Sequence, residues 1–156
     1  VALSEPNTGM ATAIDVGEWN DVHPQDKESV GERLALVARH VAYGEKDVVY
    51  SGPVVKSAVR DGSEVIVRFD HVGKGLQVAG DALQGFALAG ADGTFAWADA
   101  RIAGETIVIS SDAISVPARL RYAWADNPDT ANLYNDAGLP ALPFDIDVTE
   151  VSPSAR

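Results

Sequence analysis

The chain has 156 residues, which suits one ordinary domain or a small domain joined to a piece of another. Apolar residues make up 46% of it, enough for a real core, and no apolar run approaches the roughly 18 residues of a membrane span. Its 23 acidic against 12 basic residues give a net charge of −11, a field that repels nucleic acid and anionic membranes but tolerates neutral substrates such as sugars and esters.

There is no cysteine, which excludes disulfides, thiolate metal sites and cysteine nucleophiles, and suits either a cytoplasm or a bacterial periplasm. The opening "VALSEPNTGM" has neither the basic region nor the apolar run of a signal peptide. It also lacks an initiator methionine, so either a processing boundary or a truncation is expected just before Val1.

Residues 1 to about 45 have an α/β texture. The run 10–16, between glycines, reads as a buried strand. Pro24 suits the first turn of a helix, where its missing N–H is no loss. Asp26 and Glu28 are expected in that turn, complementing the helix dipole. Val30, Leu34, Val37 and Val41 then form one apolar stripe, and Gly44 is a plausible stop. This is one strand–loop–helix unit, and alone it cannot bury both faces of its strand.

From about residue 50 the pattern changes to short strands at regular spacing. The expected strands are 54–59, 64–69, 76–78, 85–89, 94–102, 106–110, 118–124 and 144–148. Asp61-Gly62, Gly73-Lys74-Gly75, Asp92-Gly93 and Gly104 supply turns between them. Alternation is clear in "EVIVRF" and in "ARLRYAW", which puts Leu120, Tyr122 and Trp124 on one face. The spacing predicts an antiparallel β-sandwich of about 100 residues. The segment 127–143, rich in Asn, Asp and Pro, reads as an ordered loop draped over it.

The candidate chemistry centres on His23, which sits after a loop and before a helix. That edge is where α/β sheets place active sites. A histidine there can act as general base on a hydroxyl nucleophile, with a carboxylate holding its other ring nitrogen. Asp21, Asn20 and Asp15 are near enough in sequence to orient it. The competing reading is a helix-capping histidine on a surface loop.

His23, Asp21, Asp26 and Glu28 match no metal-ligand spacing, and acidic first turns are ordinary helix chemistry. No metal and no cofactor is expected. His40, late in the helix, and His71, at a strand end, read as structural. None of the serines lies in an exposed elbow such as G-x-S-x-G, so the nucleophile that a His23 base would serve is not expected in this chain. Trp97, Trp124, Tyr122 and Phe86 are expected in the core or an inter-domain seam; a sugar-stacking platform is the other use for them.

The run "SEPNTGMATAIDVGEWNDVHPQDKESVGERLALVARHVAYG" resembles the carboxyl-terminal part of bacterial sialate O-acetylesterases, carbohydrate esterases of the SGNH hydrolase superfamily. The blocks "SGPVVKS", "VRFDHVGKGL", "GFALAGADGTFAWADARI", "VPARLRYAWADNP" and "NLYNDAGLPALPF" continue the resemblance in order, over almost the whole chain. It implies an α/β fragment, the last strand and helix of an SGNH-type hydrolase domain over residues 1–46, followed by an all-β antiparallel accessory sandwich over 47–156. It implies a serine carbohydrate acetylesterase acting on acetylated sugars, in a periplasmic or secreted setting.

The superfamily's last block carries the catalytic histidine in a D-x-x-H-P setting, and His23-Pro24 matches its ending. The position three residues earlier is Asn20, with Asp21 next to it. The orienting group is therefore Asp21, Asn20 or an aspartate elsewhere. The family's nucleophilic serine lies far upstream. The chain is thus expected to be one piece of a two-piece enzyme, partnered by an amino-terminal hydrolase fragment. A non-catalytic carbohydrate-binding or structural sandwich is the alternative.

Overall fold

Alternation of apolar and polar residues builds most of the molecule. In the computed structural model, which describes residues 5–23 and 25–150, every second residue of Glu64–Asp70 is buried: Val65, Val67 and Phe69. Ile107 and Ile109 repeat the pattern in Thr106–Ser110, as do Leu120 and Tyr122 in Arg119–Tyr122. The described residues form one helix, α1 (Lys27–Val41), and eleven strands: β1 (Val54–Asp61), β2 (Glu64–Asp70), β3 (Leu76–Val78), β4 (Phe86–Ala89), β5 (Phe95–Trp97), β6 (Asp99–Ala103), β7 (Thr106–Ser110), β8 (Arg119–Tyr122), β9 (Leu133–Asn135), β10 (Phe144–Asp147) and β11 (Thr149–Glu150).

Two sheets enclose the core. One has the order β11-β1-β2-β7-β6 and the other β10-β8-β4-β5; β3 and β9 make a separate pair. Pairing is antiparallel except between β1 and β11, which run parallel with Val59 beside Thr149 and Arg60 beside Glu150. The inner faces meet through Ala58, Val65, Val67, Ile107 and Ile109 on one side and Phe86, Leu88, Leu120, Tyr122 and Phe144 on the other. Each such fully buried large side chain contributes about 1.5–3 kcal/mol. The rings interlock, with Phe86 4.6 Å from Tyr122 and Tyr122 5.7 Å from Phe144 between centroids.

The expected strand 94–102 is two strands. Phe95–Trp97 pairs with β4 and Asp99–Ala103 with β7, so the chain changes sheets at Ala98, whose N–H donates to the Phe86 carbonyl at 3.1 Å. The segment 127–143 is ordered and draped as expected, but it also contains β9, and Leu133, Leu139, Ala141 and Leu142 within it are buried. Its anchor is Asn135, fully buried with its whole amide satisfied. The Nδ2 group donates to the Ser51 and His71 carbonyls, and Oδ1 accepts from the N–H groups of Ala137 and Leu139.

The expected strand 10–16 is absent. The segment runs extended into a turn closed by the Val16 N–H on the Ala13 carbonyl, and no strand among the described residues lies beside it to complete a ladder. A lone extended segment leaves its backbone groups without sheet partners. Ile14 instead packs against the sandwich core. The helix begins at Lys27 with Asp26 as its N-cap rather than inside the first turn: Asp26 Oδ1 accepts from the Ser29 N–H at 2.9 Å and Oδ2 from the Ser29 hydroxyl at 2.7 Å. The backbone bond from Ser29 holds the Asp26 carboxyl below its ordinary pKa. Pro24 lies outside the described residues. Gly44, with φ +73, closes the helix as expected. No helix among the described residues is long and apolar enough to cross a membrane.

Candidate active-site loop

The loop 17–23 is shaped by its own polar residues. Glu18 and Asp21 bridge across a tight turn, leaving Trp19 and Asn20 at its tip. Asp21 Oδ1 accepts twice from His23, from the backbone N–H at 2.8 Å and from ring Nδ1 at 3.2 Å. One carboxylate oxygen thus sets both the turn and the orientation of the ring. Because a carboxylate oxygen only accepts, the contact puts a proton on Nδ1; in the neutral imidazole Nε2 then carries the lone pair. The side chain is 82% exposed, and no serine hydroxyl among the described residues is hydrogen-bonded to it.

The three candidate orienting residues have separate fates. Asp21 touches the ring. Asn20 lies in the turn and lines the adjoining hollow without a hydrogen bond to His23. Asp15 is committed elsewhere: Arg33 Nη1 and Nη2 donate to its two oxygens at 2.6 and 2.7 Å, and the Tyr134 hydroxyl donates to Oδ2 at 3.2 Å. The hydrogen bond to Asp15 raises the Arg33 pKa above its already high value. Burial, then the neighbouring Asp15 charge, raises that of Tyr134. This triad ties α1, the approach to the loop and β9 together.

Arg33 and Tyr134 were not legible as site residues. Arg33 shares the inward helix face with Val30 and Val37, and a lone arginine on such a stripe is the signal of a buried acidic partner. Tyr134 sits in a short strand hidden within a polar, proline-containing segment.

The hollow beside the loop has a volume of about 630 Å³ and is lined by Glu18, Trp19 and Asn20 on one side and by Asn127, Asp129 and Asn132 on the other. Asn132 braces that wall, its Nδ2 donating to the Ala79 and Ala82 carbonyls and its Oδ1 accepting from the Gln84 N–H.

The remaining histidines are packed as expected. His40 stacks on Tyr50 at 3.8 Å and 11° and contacts the Glu45 carbonyl through Nδ1, while His71 meets the same tyrosine edge-on at 5.2 Å. Among the described residues, no group of three or more His, Asp or Glu side chains converges as metal ligands.

The aromatic expectation divides. Phe86 and Tyr122 are in the core, but Trp97 and Trp124 are exposed. Trp124 escapes the face of Leu120 and Tyr122 because Ala123 takes φ +52, which ends β8 and breaks the alternation.

No protein-family model matches the chain. Among proteins of known name, it is 31% identical to the sialate O-acetylesterase of Mus musculus over 89% of this chain and 28% of that protein. It is also 31% identical to the sialate O-acetylesterase of Pongo abelii over 95% of this chain and 31% of that protein. Among solved structures, a carbohydrate acetylesterase from Xanthomonas citri superposes with a TM-score of 0.88 at 51% identity, over 93% of this chain and 34% of that one. The chain therefore spans about a third or less of the proteins it matches. Over most of its own length, it is a homologue of the sialate O-acetylesterases.

Proposed function

We propose that this chain is the carboxyl-terminal part of a carbohydrate O-acetylesterase and supplies its general base, His23, oriented by Asp21. The observation that carries the reading is the Asp21 contact to His23 Nδ1, which leaves Nε2 free and pointing away from its own carboxylate. In this mechanism His23 Nε2 takes the proton of a serine hydroxyl as its oxygen attacks the acetyl carbonyl. The tetrahedral oxyanion collapses, and the imidazolium returns the proton to the departing sugar oxygen. Water, deprotonated by the same nitrogen, then releases acetate from the acetyl-enzyme.

The serine belongs to an amino-terminal hydrolase fragment. Two features support such a partner. The matched proteins are about three times as long as this chain, and an apolar surface is left uncovered here. Leu34, on the predicted helix stripe, is exposed, as are Trp19 and Val22 in the loop. In this reading residues 1–46 complete the hydrolase domain and 47–156 form its accessory sandwich, in a periplasmic or secreted enzyme. Native size exclusion followed by denaturing mass spectrometry is expected to show a second polypeptide with this one; an active species of 16.4 kDa alone would sink the idea.

The decisive experiment is His23→Ala in the assembled protein, assayed on an acetylated sugar and on 4-nitrophenyl acetate. Acetate release is expected to fall to background while the circular dichroism and melting transition stay unchanged, since the side chain is exposed. Undiminished turnover would refute the assignment.

A further inference from the structure

All three tryptophans of the chain reach solvent: Trp19 is 82% exposed, Trp97 75% and Trp124 56%. Large indoles left outside while Phe86, Tyr122 and Phe144 fill the core mark a surface with a use. Trp97 and Trp124 line a common cleft of about 460 Å³ on the outer face of the β10-β8-β4-β5 sheet.

Strand register explains its shape. Asp145, Arg121, Ala87 and Trp97 stand side by side across the four strands. Ala87 is the low point of that row, and Trp97 rises beside it. Arg121 places its Cζ over Phe95, 3.8 Å from the ring centroid, and 5.6 Å from the Trp124 ring centroid. Its Nε donates to Asp145 at 2.9 Å, while its terminal Nη groups have no hydrogen-bond partner among the described residues.

The chemistry suits a neutral saccharide. Indole faces accept the C–H faces of a pyranose, and the Arg121 fork with Asn127 and Asp129 at the rim offers directed partners to hydroxyls. An anionic ligand is disfavoured, because the Asp129 carboxylate stands at the rim and the chain carries −11.

The cleft also has a neighbour. Asn127, Pro128 and Asp129 line it on one side and line the hollow beside Trp19 and Asn20 on the other. We propose that the Trp97–Trp124 cleft binds a non-reacting, neutral sugar unit of a glycan, and that the 127–129 ridge leads that glycan to the His23 loop. The second half rests on the esterase reading; the binding itself does not.

The test is titration of xylohexaose and cellohexaose into the chain, following the three indole N–H resonances. Saturable shifts are expected at Trp97 and Trp124, and Trp97→Ala and Trp124→Ala should each weaken binding about tenfold. Both residues are exposed, so neither variant threatens the fold; unchanged melting transitions check this. Binding unaltered by both substitutions, or no saturable shift with either sugar at millimolar concentration, would overturn the proposal. In the assembled enzyme Trp97→Ala should raise KM for acetylated xylohexaose while turnover of 4-nitrophenyl acetate is unchanged. Equal losses on both substrates, or burial of the two indoles under a partner polypeptide, would also overturn it. Failure of the esterase reading would leave the indole shifts in place, whereas failure of the cleft would leave 4-nitrophenyl acetate hydrolysis in place.

Discussion

Arg33 and Asp15 face each other through two parallel hydrogen bonds, at 2.6 and 2.7 Å, and the same Nη1 that reaches Asp15 also donates to the Thr12 carbonyl at 2.8 Å. Their side chains are only 12% and 14% exposed, so water does little to screen or replace the pair. Removing one partner strands the other. Arg33→Ala or Asp15→Ala is expected to cost about 2–4 kcal/mol in urea unfolding. The double variant should cost less than the two losses added together, because it leaves no stranded charge. Additive losses would show that the pair is not coupled.

A different outcome is expected at Asp21, which holds the His23 ring and has a side chain 44% exposed. Asp21→Asn should lower acetate release by about 10²–10⁴-fold in the assembled protein, with the melting transition unchanged. Asn20→Ala should change turnover only a few-fold. If the two variants behave in the reverse order, the amide orients the ring and the assignment of Asp21 is wrong.

Tyr122 makes stability fall at high pH. Burial pushes its hydroxyl from 10.0 to about 12, and its oxygen accepts from the Leu133 N–H at 2.9 Å. The folded chain therefore holds this proton more tightly than the unfolded one. The contribution is complete below pH 10 and is lost as pH rises toward 12, by about 1.4 kcal/mol per pH unit across that window. Tyr122→Phe should flatten this limb and cost about 1–2 kcal/mol at neutral pH by orphaning the Leu133 N–H. Chemical denaturation at a series of pH values from 8 upward reads both effects.

Asp145 acts at the acid end. Burial raises its pKa, but hydrogen bonds from Arg119 and Arg121 outweigh that and hold it below the ordinary 3.8. A carboxyl with a depressed folded pKa stabilises above its unfolded value, and that stability is lost as pH falls through the folded one. Asp145→Asn should therefore weaken the protein at neutral pH and shrink its acid-unfolding limb. Identical acid limbs for the two proteins would contradict the role given to the arginine pair.

The sheet residues were the easiest to foresee, for a physical reason. Val65, Val67 and Phe69 are buried on one face and solvated on the other, so their period of two is written directly in the chain. Turn glycines with positive φ, such as Gly62 and Gly104, bounded the strands where expected. What failed depended on contacts between distant residues. The strand expected at 10–16 needed a neighbour, and sequence pattern cannot supply one. β9 is three residues long and fixed by Asn135, whose partners lie at Ser51 and His71. The exposure of Trp124 turned on a single backbone angle at Ala123.

The site was partly legible. The short spacing from Asp21 to His23 allowed a contact, and the loop makes it. The clamp on Asp15 was hidden, since Arg33 and Tyr134 are separated from it by 18 and 119 residues.

The parallel pairing of β1 with β11 has a consequence for biosynthesis. Arg60 and Glu150, an ion pair 90 residues apart in the chain, meet only when the last strand has been made. Until then the outer edge of β1 presents unpaired N–H and C=O groups to any other strand in reach. Pairings of such range form slowly, because the loop between them must close first. The nascent sandwich is therefore most open to mispairing along β1, and β11 acts as the latch that closes this edge at Val59 and Arg60.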